Sequence, residues 1–340
     1  MKKLKDTDFL CISSSIHAVD KDNLSGEKLS RLIDAKSFDE ALDYAREMYG
    51  IEQSEEISSD YGKMLSEELT KAYRFISGLI GNMIDTDVKP YSLINPFRYV
   101  YDCQNLKTAI KCEALKKSTD GLLSENGSVE CNTLVSAMTS RDFSAFPPNM
   151  ASAALTAIEE LARTEDPQEV DLILDKAAFE DMTASAYEYN LDYLKELMMY
   201  KADSVNISTA IRCIKQGKTK NYLKRLLVSG GKLDEDFFLS NYDETIGKLI
   251  SALAFTEYSD IAKFSEQQQN GISASEAERF CSVLYIKKAY TACRVPFGAE
   301  LVIYYIVKKE YEIKNVRIIL AGKACGMSSE KIRERLMIAV

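Results

Sequence analysis

The chain of 340 residues has no tryptophan, one histidine, six prolines and fifteen glycines. Each scarcity closes off a class of protein. So few turn formers weigh against a β-sandwich or barrel of short strands. A single histidine, His17, leaves a zinc site short of ligands, and any Ser-His-Asp or Cys-His catalyst would hang on it alone. No apolar run reaches the roughly 18 residues that a spanning helix needs. The longest, Leu301 to Val307, runs straight into Lys308 and Lys309. The opening MKKLKDTDFLCISSSIHA starts like a secretion signal, but Asp6, Asp8 and three serines break its apolar stretch.

An excess of positive charge is also missing. Lys and Arg number 43 against 52 Asp and Glu, a net charge of −9. Nucleic-acid affinity comes from clustered cations, and so does adhesion to anionic lipid, so neither partner is expected. Direct membrane insertion is not expected either. Eight cysteines are spread from Cys11 to Cys325 without a C-x-x-C. A disulfide-stapled secreted domain is smaller and denser in cysteine, so these read as reduced cytoplasmic thiols in a core.

What remains is helix. Long stretches carry helix formers with apolar residues three and four apart, which predicts an all-α protein. Its helices are marked at their ends. Ser37 with Glu40 and Ser275 with Glu278 fit capping boxes, and Asp166-Pro167-Gln168-Glu169 reads as a helix start. Gly217 and Gly326 follow helical segments where a left-handed C-cap favours glycine.

An internal repeat organises these helices. Residues 102–112 read DCQNLKTAIKC, residues 203–213 DSVNISTAIRC and residues 312–320 EIKNVRIIL. Each has an acid, an asparagine three residues on, and aliphatic positions at helical spacing. Asn105, Asn206 and Asn315 are 101 and 109 residues apart, one small domain per copy. Each copy also has a similar opening, at 29–45, 132–146 and 223–238. From Leu32, Leu134 and Leu227 to the asparagines the distances are 73, 72 and 88 residues. Three helical units follow, over about 1–116, 117–217 and 218–340, with 117–131 as an exposed linker.

The pairs Asp102/Asn105, Asp203/Asn206 and Glu312/Asn315 each lie on one face of a helix. Asp and Asn are mediocre helix formers, so three equivalent pairs point to a structural requirement, each hydrogen-bonding a nearby loop or helix end. Three equivalent ligand sites are the alternative. Chemistry is otherwise hard to find. Gly217-Lys218-Thr219 has the end of a P-loop, but Arg212 stands where its first glycine belongs, and it follows a helix instead of opening one. Gly230-Gly231 and Gly322-x-x-x-Gly326 match no dinucleotide fingerprint. No catalytic residue, cofactor or metal site is expected.

The C-terminal third carries a more specific pattern. Arg294-Val295-Pro296-Phe297-Gly298-Ala299-Glu300 precedes YYIVKKEYEIKNVRIILAGKACGMSSEKIRERL over 304–336. With Tyr304, Lys309, Glu310, Glu312, Asn315, Arg317, Gly322 and Lys323, it resembles the closing segment of the C-subunit family of V-type ATPases (the d-type subunit in eukaryotes). NPFRYVYDCQNLKTAIK at 95–111 is similar to that family's Tyr-Asp-x-x-Asn-Leu-Lys signature, and Gly230-Gly231 matches another landmark. The resemblance runs from about residue 29 to the end. The front departs from it, since 9–22 read FLCISSSIHAVDKD instead of an aromatic helix bearing arginines.

The resemblance implies three similar helical domains around a pseudo-threefold axis, shaped as a funnel. It further implies a non-catalytic rotor subunit joining the central stalk (D- and F-type subunits) to the membrane rotor-ring subunits, for ATP-driven proton or sodium transport or ATP synthesis. Such a chain sits in the cytoplasm, peripheral to the membrane through the complex. A helical-repeat scaffold unrelated to an ATPase would explain the repeats but not the C-terminal signature.

Overall fold

The computed structural model describes residues 5–20, 26–51, 61–82, 93–188, 191–268 and 271–337. Residues 1–4 of the basic start and 21–25 of the atypical opening lie outside the described residues. Among the described residues there are α-helices and short 3-10 turns, and no strand. In chain order the helices are α1 (Leu10–Asp20), α2 (Gly26–Asp34), α3 (Phe38–Tyr49), α4 (Tyr61–Gly81), α5 (Asn95–Ala114), α6 (Cys131–Ser140), α7 (Pro148–Thr164) and α8 (Pro167–Glu188). They continue with α9 (Asp192–Lys215), α10 (Lys220–Leu226), α11 (Glu235–Ser240), α12 (Gly247–Leu253), α13 (Ser259–Glu266), α14 (Ala274–Tyr290), α15 (Ala299–Ala324) and α16 (Ser329–Arg335). No described helix is long and apolar enough to cross a membrane.

Most of the end signals are used as their chemistry requires. Ser37 Oγ accepts from Glu40 N at 3.1 Å, while the Glu40 carboxylate takes Lys36 N at 2.6 Å, one residue before the expected partner. Asp166 accepts from Gln168 N, and Gly217 and Gly326 take φ of 63° and 67° past α9 and α15. The second capping box is corrected. It lies two residues earlier, where Ser273 and Glu276 exchange bonds of 3.2 and 2.8 Å with each other's backbone. The same Ser-x-x-Glu spacing repeats at 275–278, but α14 has already begun at Ala274, so that pair lies inside the helix.

Contacts divide the chain into two compact units, Met1–Ile94 with Ile286–Val340, and Asn95–Tyr285. This division reports contact density, whereas the threefold repeat reports internal similarity. The first unit is built around α15, which packs against α1, α2, α3, α4 and α16. Leu301 to Val307, the longest apolar run of the sequence, is buried on every side. A helical segment apolar all round belongs in a protein interior when it is as short as these seven residues of α15. Lys323 and Ser329 hydrogen-bond the carbonyls of Ala35 and Ile33 at 2.6 and 2.8 Å, satisfying the C-terminal end of α2.

The second unit packs α5 on α6, α7 and α8, and α8 on α7, α9 and α10. Its other half is a core of Ile211, Leu223, Phe238, Leu253, Tyr258 and Ile261, all essentially inaccessible. Across α5 and α8, Lys107 meets Asp175 and Lys111 meets Asp171, each at 2.6 Å, because both helices repeat charge every four residues. All eight cysteines are free thiols. Cys103, Cys112, Cys213 and Cys281 are buried, but Cys11, Cys293 and Cys325 are exposed and fill no core.

Candidate functional site

The three repeat asparagines do one job. A side-chain amide carries one acceptor and one donor group, the same set as a peptide unit, so it can pair with a single backbone residue as a neighbouring strand would. Asn105 donates to Ser124 O and accepts from Ser124 N, both at 2.8 Å. Asn206 does the same with Val228, both at 2.9 Å. Asn315 does it with Met337, at 3.0 and 2.9 Å. The three asparagines are buried on α5, α9 and α15. Each pins a segment downstream of its own helix: Ser124 directly after α5, Val228 after α10 and Met337 after α16.

The acids complete two of these clamps. Asp102 accepts from Val129 N at 3.1 Å and from the Ser128 hydroxyl. Asp203 accepts from Lys232 N and Leu233 N at 3.1 Å and from Tyr258 Oη at 2.8 Å. The loops must approach so closely that a Cβ on Gly127 would lie 2.4 Å from Asp102 Oδ1. A Cβ on Gly231 would lie 2.1 Å from Asp203 Oδ1, which explains one glycine of the Gly230-Gly231 pair. The stretch 117–131 is therefore more than an exposed linker. Its Asn126 and Val129 are buried, and Arg98 donates to the carbonyls of Asn126 and Gly127.

The third acid behaves differently. Glu312 pairs with Lys309 through Oε2 at 3.1 Å and lines a cavity between α3, α4 and α15. A further buried acid, Asp181 of α8, caps α7 by accepting from Asn149 N, Asn149 Nδ2 and Met150 N at 3.1, 2.8 and 2.8 Å. Sequence reading missed it. Its one signal was an aspartate placed among the apolar positions of α8.

Against this geometry, the family model for the ATP synthase (C/AC39) subunit matches residues 12–335. The chain belongs to the ATP synthase (C/AC39) subunit family. It is 22% identical over 280 residues to the C subunit of the V-type sodium ATPase of Enterococcus hirae, covering 82% of each chain. To the C subunit of the A-type ATP synthase of Methanocaldococcus jannaschii it is 24% identical over 332 residues, covering 91% of this chain and 81% of that one. To the C subunit of the V-type ATP synthase of Thermus thermophilus it is 22% identical over 202 residues, covering 57% and 56%. The chain is thus a subunit of the V- and A-type ATPase class.

Several residues through which the chain resembles the C/AC39 subunits serve the first unit's fold. Gly298 sits buried before α15 with φ of 154°, a conformation that side chains rarely adopt, and donates to Ser13 Oγ. Tyr304 is buried edge-on against Tyr290, with ring centroids 5.3 Å apart. Glu310 accepts from Tyr73 Oη at 2.6 Å, and Gly322 lies so close to Ile332 that a Cβ would reach 2.7 Å. Glu300 is half-buried in the first turn of α15. Arg294, Pro296 and Arg317 are exposed. The other residues weighed for chemistry lie apart: His17 is exposed on α1, and Thr219 of the Gly-Lys-Thr run caps the seven-residue α10.

Burial raises the carboxyls of both clamping aspartates, Asp102 and Asp203, and the second is shifted further. Burial pushes the Asp203 carboxyl up to about 6, outweighing the Tyr258 hydroxyl and two backbone donors that favour its charged form, with Glu257 adding to the rise. A carboxyl raised in the fold holds a proton that the unfolded chain has already released. Its stabilising contribution is therefore full below about 4 and fades as pH climbs through about 6. Between pH 7.5 and 5.0 the chain should gain about 1 kcal/mol relative to the Asp203→Asn variant. Urea midpoints of both proteins at the two pH values measure this. Parallel pH dependences would contradict it.

Proposed function

We propose that this chain is the non-catalytic rotor subunit of a V-type ATPase or ATP synthase, a socket that seats the central stalk and couples it to the membrane rotor ring. The match to the C/AC39 subunits over residues 12–335 carries the reading. The relatives, named as C subunits of a V-type sodium ATPase and of A- and V-type ATP synthases, support it. Its partners are then the D- and F-type stalk subunits and the ring subunits, and the nucleotide sites lie on other chains. The chain stands on the cytoplasmic face, held by the complex, while the ring moves protons or sodium ions.

The clamps suit such a part. A coupling element must not yield when the shaft turns against the load, and closely packed helices transmit strain because their interiors barely compress. Side-chain clamps add stiffness where packed helices are weakest, at the loops that follow them. In three repeats around an axis, the clamps on Asn105, Asn206 and Asn315 would fix three equivalent corners of the socket. The signature residues that the fold leaves exposed, Arg294, Pro296 and Arg317, are the proposed partner contacts.

The test is association. The purified chain should bind the isolated D–F stalk and weaken as salt rises, because exposed charge contacts are screened within about 10 Å at 0.1 M salt. Arg317→Glu should weaken binding by roughly tenfold, the size of a lost or reversed charge contact at an interface. ATP should not bind the chain alone. Absence of stalk binding at low salt would overturn the reading.

A further inference from the structure

Among the described residues, three buried side-chain oxygens have no hydrogen-bond partner, and two of them, Tyr49 Oη and Glu312 Oε1, belong to residues lining one cavity. That cavity, of about 190 Å³, lies within the first unit between α3, α4 and α15. Its charges are already matched. Lys309 takes the other oxygen of Glu312 at 3.1 Å, and Lys71 takes Glu68 at 2.5 Å. The Glu312 side chain is 11% exposed and that of Glu68 13%, while Lys71 is 62% exposed and marks the open side.

The orphan carboxylate oxygen decides what would suit this site. A buried acceptor without a donor is costly, and more so when charged, so the missing group must bring an N–H or O–H. Burial and the carboxylates of Glu312 and Glu68 hold the Tyr49 phenol well above its ordinary range, so it stays protonated and its oxygen can accept a second donor. An anion would bring no donor to Glu312 Oε1, and the Glu312 and Glu68 carboxylates are each already paired with a lysine. Phe75 and Tyr305, with centroids 5.6 Å apart and rings tilted by 54°, supply an aromatic wall; the Lys309 ammonium stands 5.9 Å over the Tyr305 ring, which leaves Phe75 as the face for a flat cation. A planar group with several N–H donors meets all these demands, and an ammonium meets fewer.

The repeat sets Glu312 apart. In the first two copies the acid is an aspartate whose carboxylate accepts backbone N–H groups of a downstream loop. In the third it is a glutamate, one methylene longer, that pairs with Lys309 and lines the cavity.

We propose that this cavity binds a guanidinium group, whose N–H groups donate to Glu312 Oε1 and the Tyr49 hydroxyl while its face rests on the aromatic wall. The group comes either from a small free alkylguanidine or from an arginine side chain of another protein.

The experiment titrates the full chain by calorimetry with three probes: methylguanidinium, a blocked Gly-Arg-Gly peptide and neutral acetamide. Methylguanidinium should bind saturably and lose roughly tenfold in affinity in Glu312→Gln, the effect of one charge-assisted hydrogen bond. Tyr49→Phe keeps every charge and should weaken binding less, and it carries the test alone if Glu312→Gln fails to fold. Peptide binding with the same dependence assigns the site to an arginine side chain, and binding of methylguanidinium alone assigns it to a free guanidine. No saturable binding of either, acetamide binding as tightly as methylguanidinium, or unchanged affinity in the folded variants would overturn the proposal.

Discussion

Replacing Asn206 with leucine is expected to lower the unfolding free energy of the chain by roughly 2–4 kcal/mol. Leucine shares the branched shape but is larger and offers neither donor nor acceptor, so the N–H and C=O of Val228 lose their partners together. Asn206 and Val228 are 2% and 7% exposed, so water cannot take the amide's place without opening the loop. Each stranded backbone group costs about 1–3 kcal/mol, and the gain from a larger apolar side chain only partly offsets the pair. Asn206→Asp provides a graded comparison, since it keeps the acceptor for Val228 N and loses the donor to Val228 O. A urea midpoint unchanged by Asn206→Leu would contradict a structural role and return the asparagine to ligand or partner contact.

How much of this was legible in the sequence depends on the range of the interaction. Helix existence was readable because apolar spacing and caps are local, and the ends at Ser37, Asp166, Gly217 and Gly326 lie where their chemistry demands. The Asp-x-x-Asn pairs were visible as a repeated oddity, polar residues inside helices that dislike them. Their targets were not. Ser124, Val228 and Met337 lie 19, 22 and 22 residues beyond their asparagines, and nothing local marks a backbone unit as the one to be clamped. For the same reason the 117–131 stretch looked like a plain linker, being polar and rich in turn formers, until the buried Asp102 and Asn105 took hold of it.

The cavity shows a different limit. Glu312 occupies the repeat's acid position, and sequence alone assigns it the duty of Asp102 and Asp203. Instead it pairs with Lys309 one turn away and lines a cavity built by three helices, two of them distant in sequence. Asp181 was missed because a capping acid in the middle of one helix reads as surface unless the helix start it serves is known to lie beside it. Signature residues split along the same line: Gly298, Tyr304 and Glu310 are explained by packing and bonding within the first unit. Arg294, Pro296 and Arg317 are exposed and lack that explanation, which directs attention to partners.

The largest functional effect should come from leaving the chain out. If it couples shaft to ring and does no bond chemistry, an ATPase complex assembled without it should keep its nucleotide sites and continue to hydrolyse ATP. The shaft would then have no seat, so hydrolysis would no longer drive the ring, and the catalytic head would separate from the membrane on washing. Restoring the purified chain should restore coupling, and a chain weakened at its clamps should restore it less well as load increases. The direct measurement is paired: ATP hydrolysis and ATP-driven ion uptake in sealed vesicles, with and without this chain. Hydrolysis that persists while ion uptake falls to background is the predicted result. Normal ion uptake in the absence of the chain would contradict it.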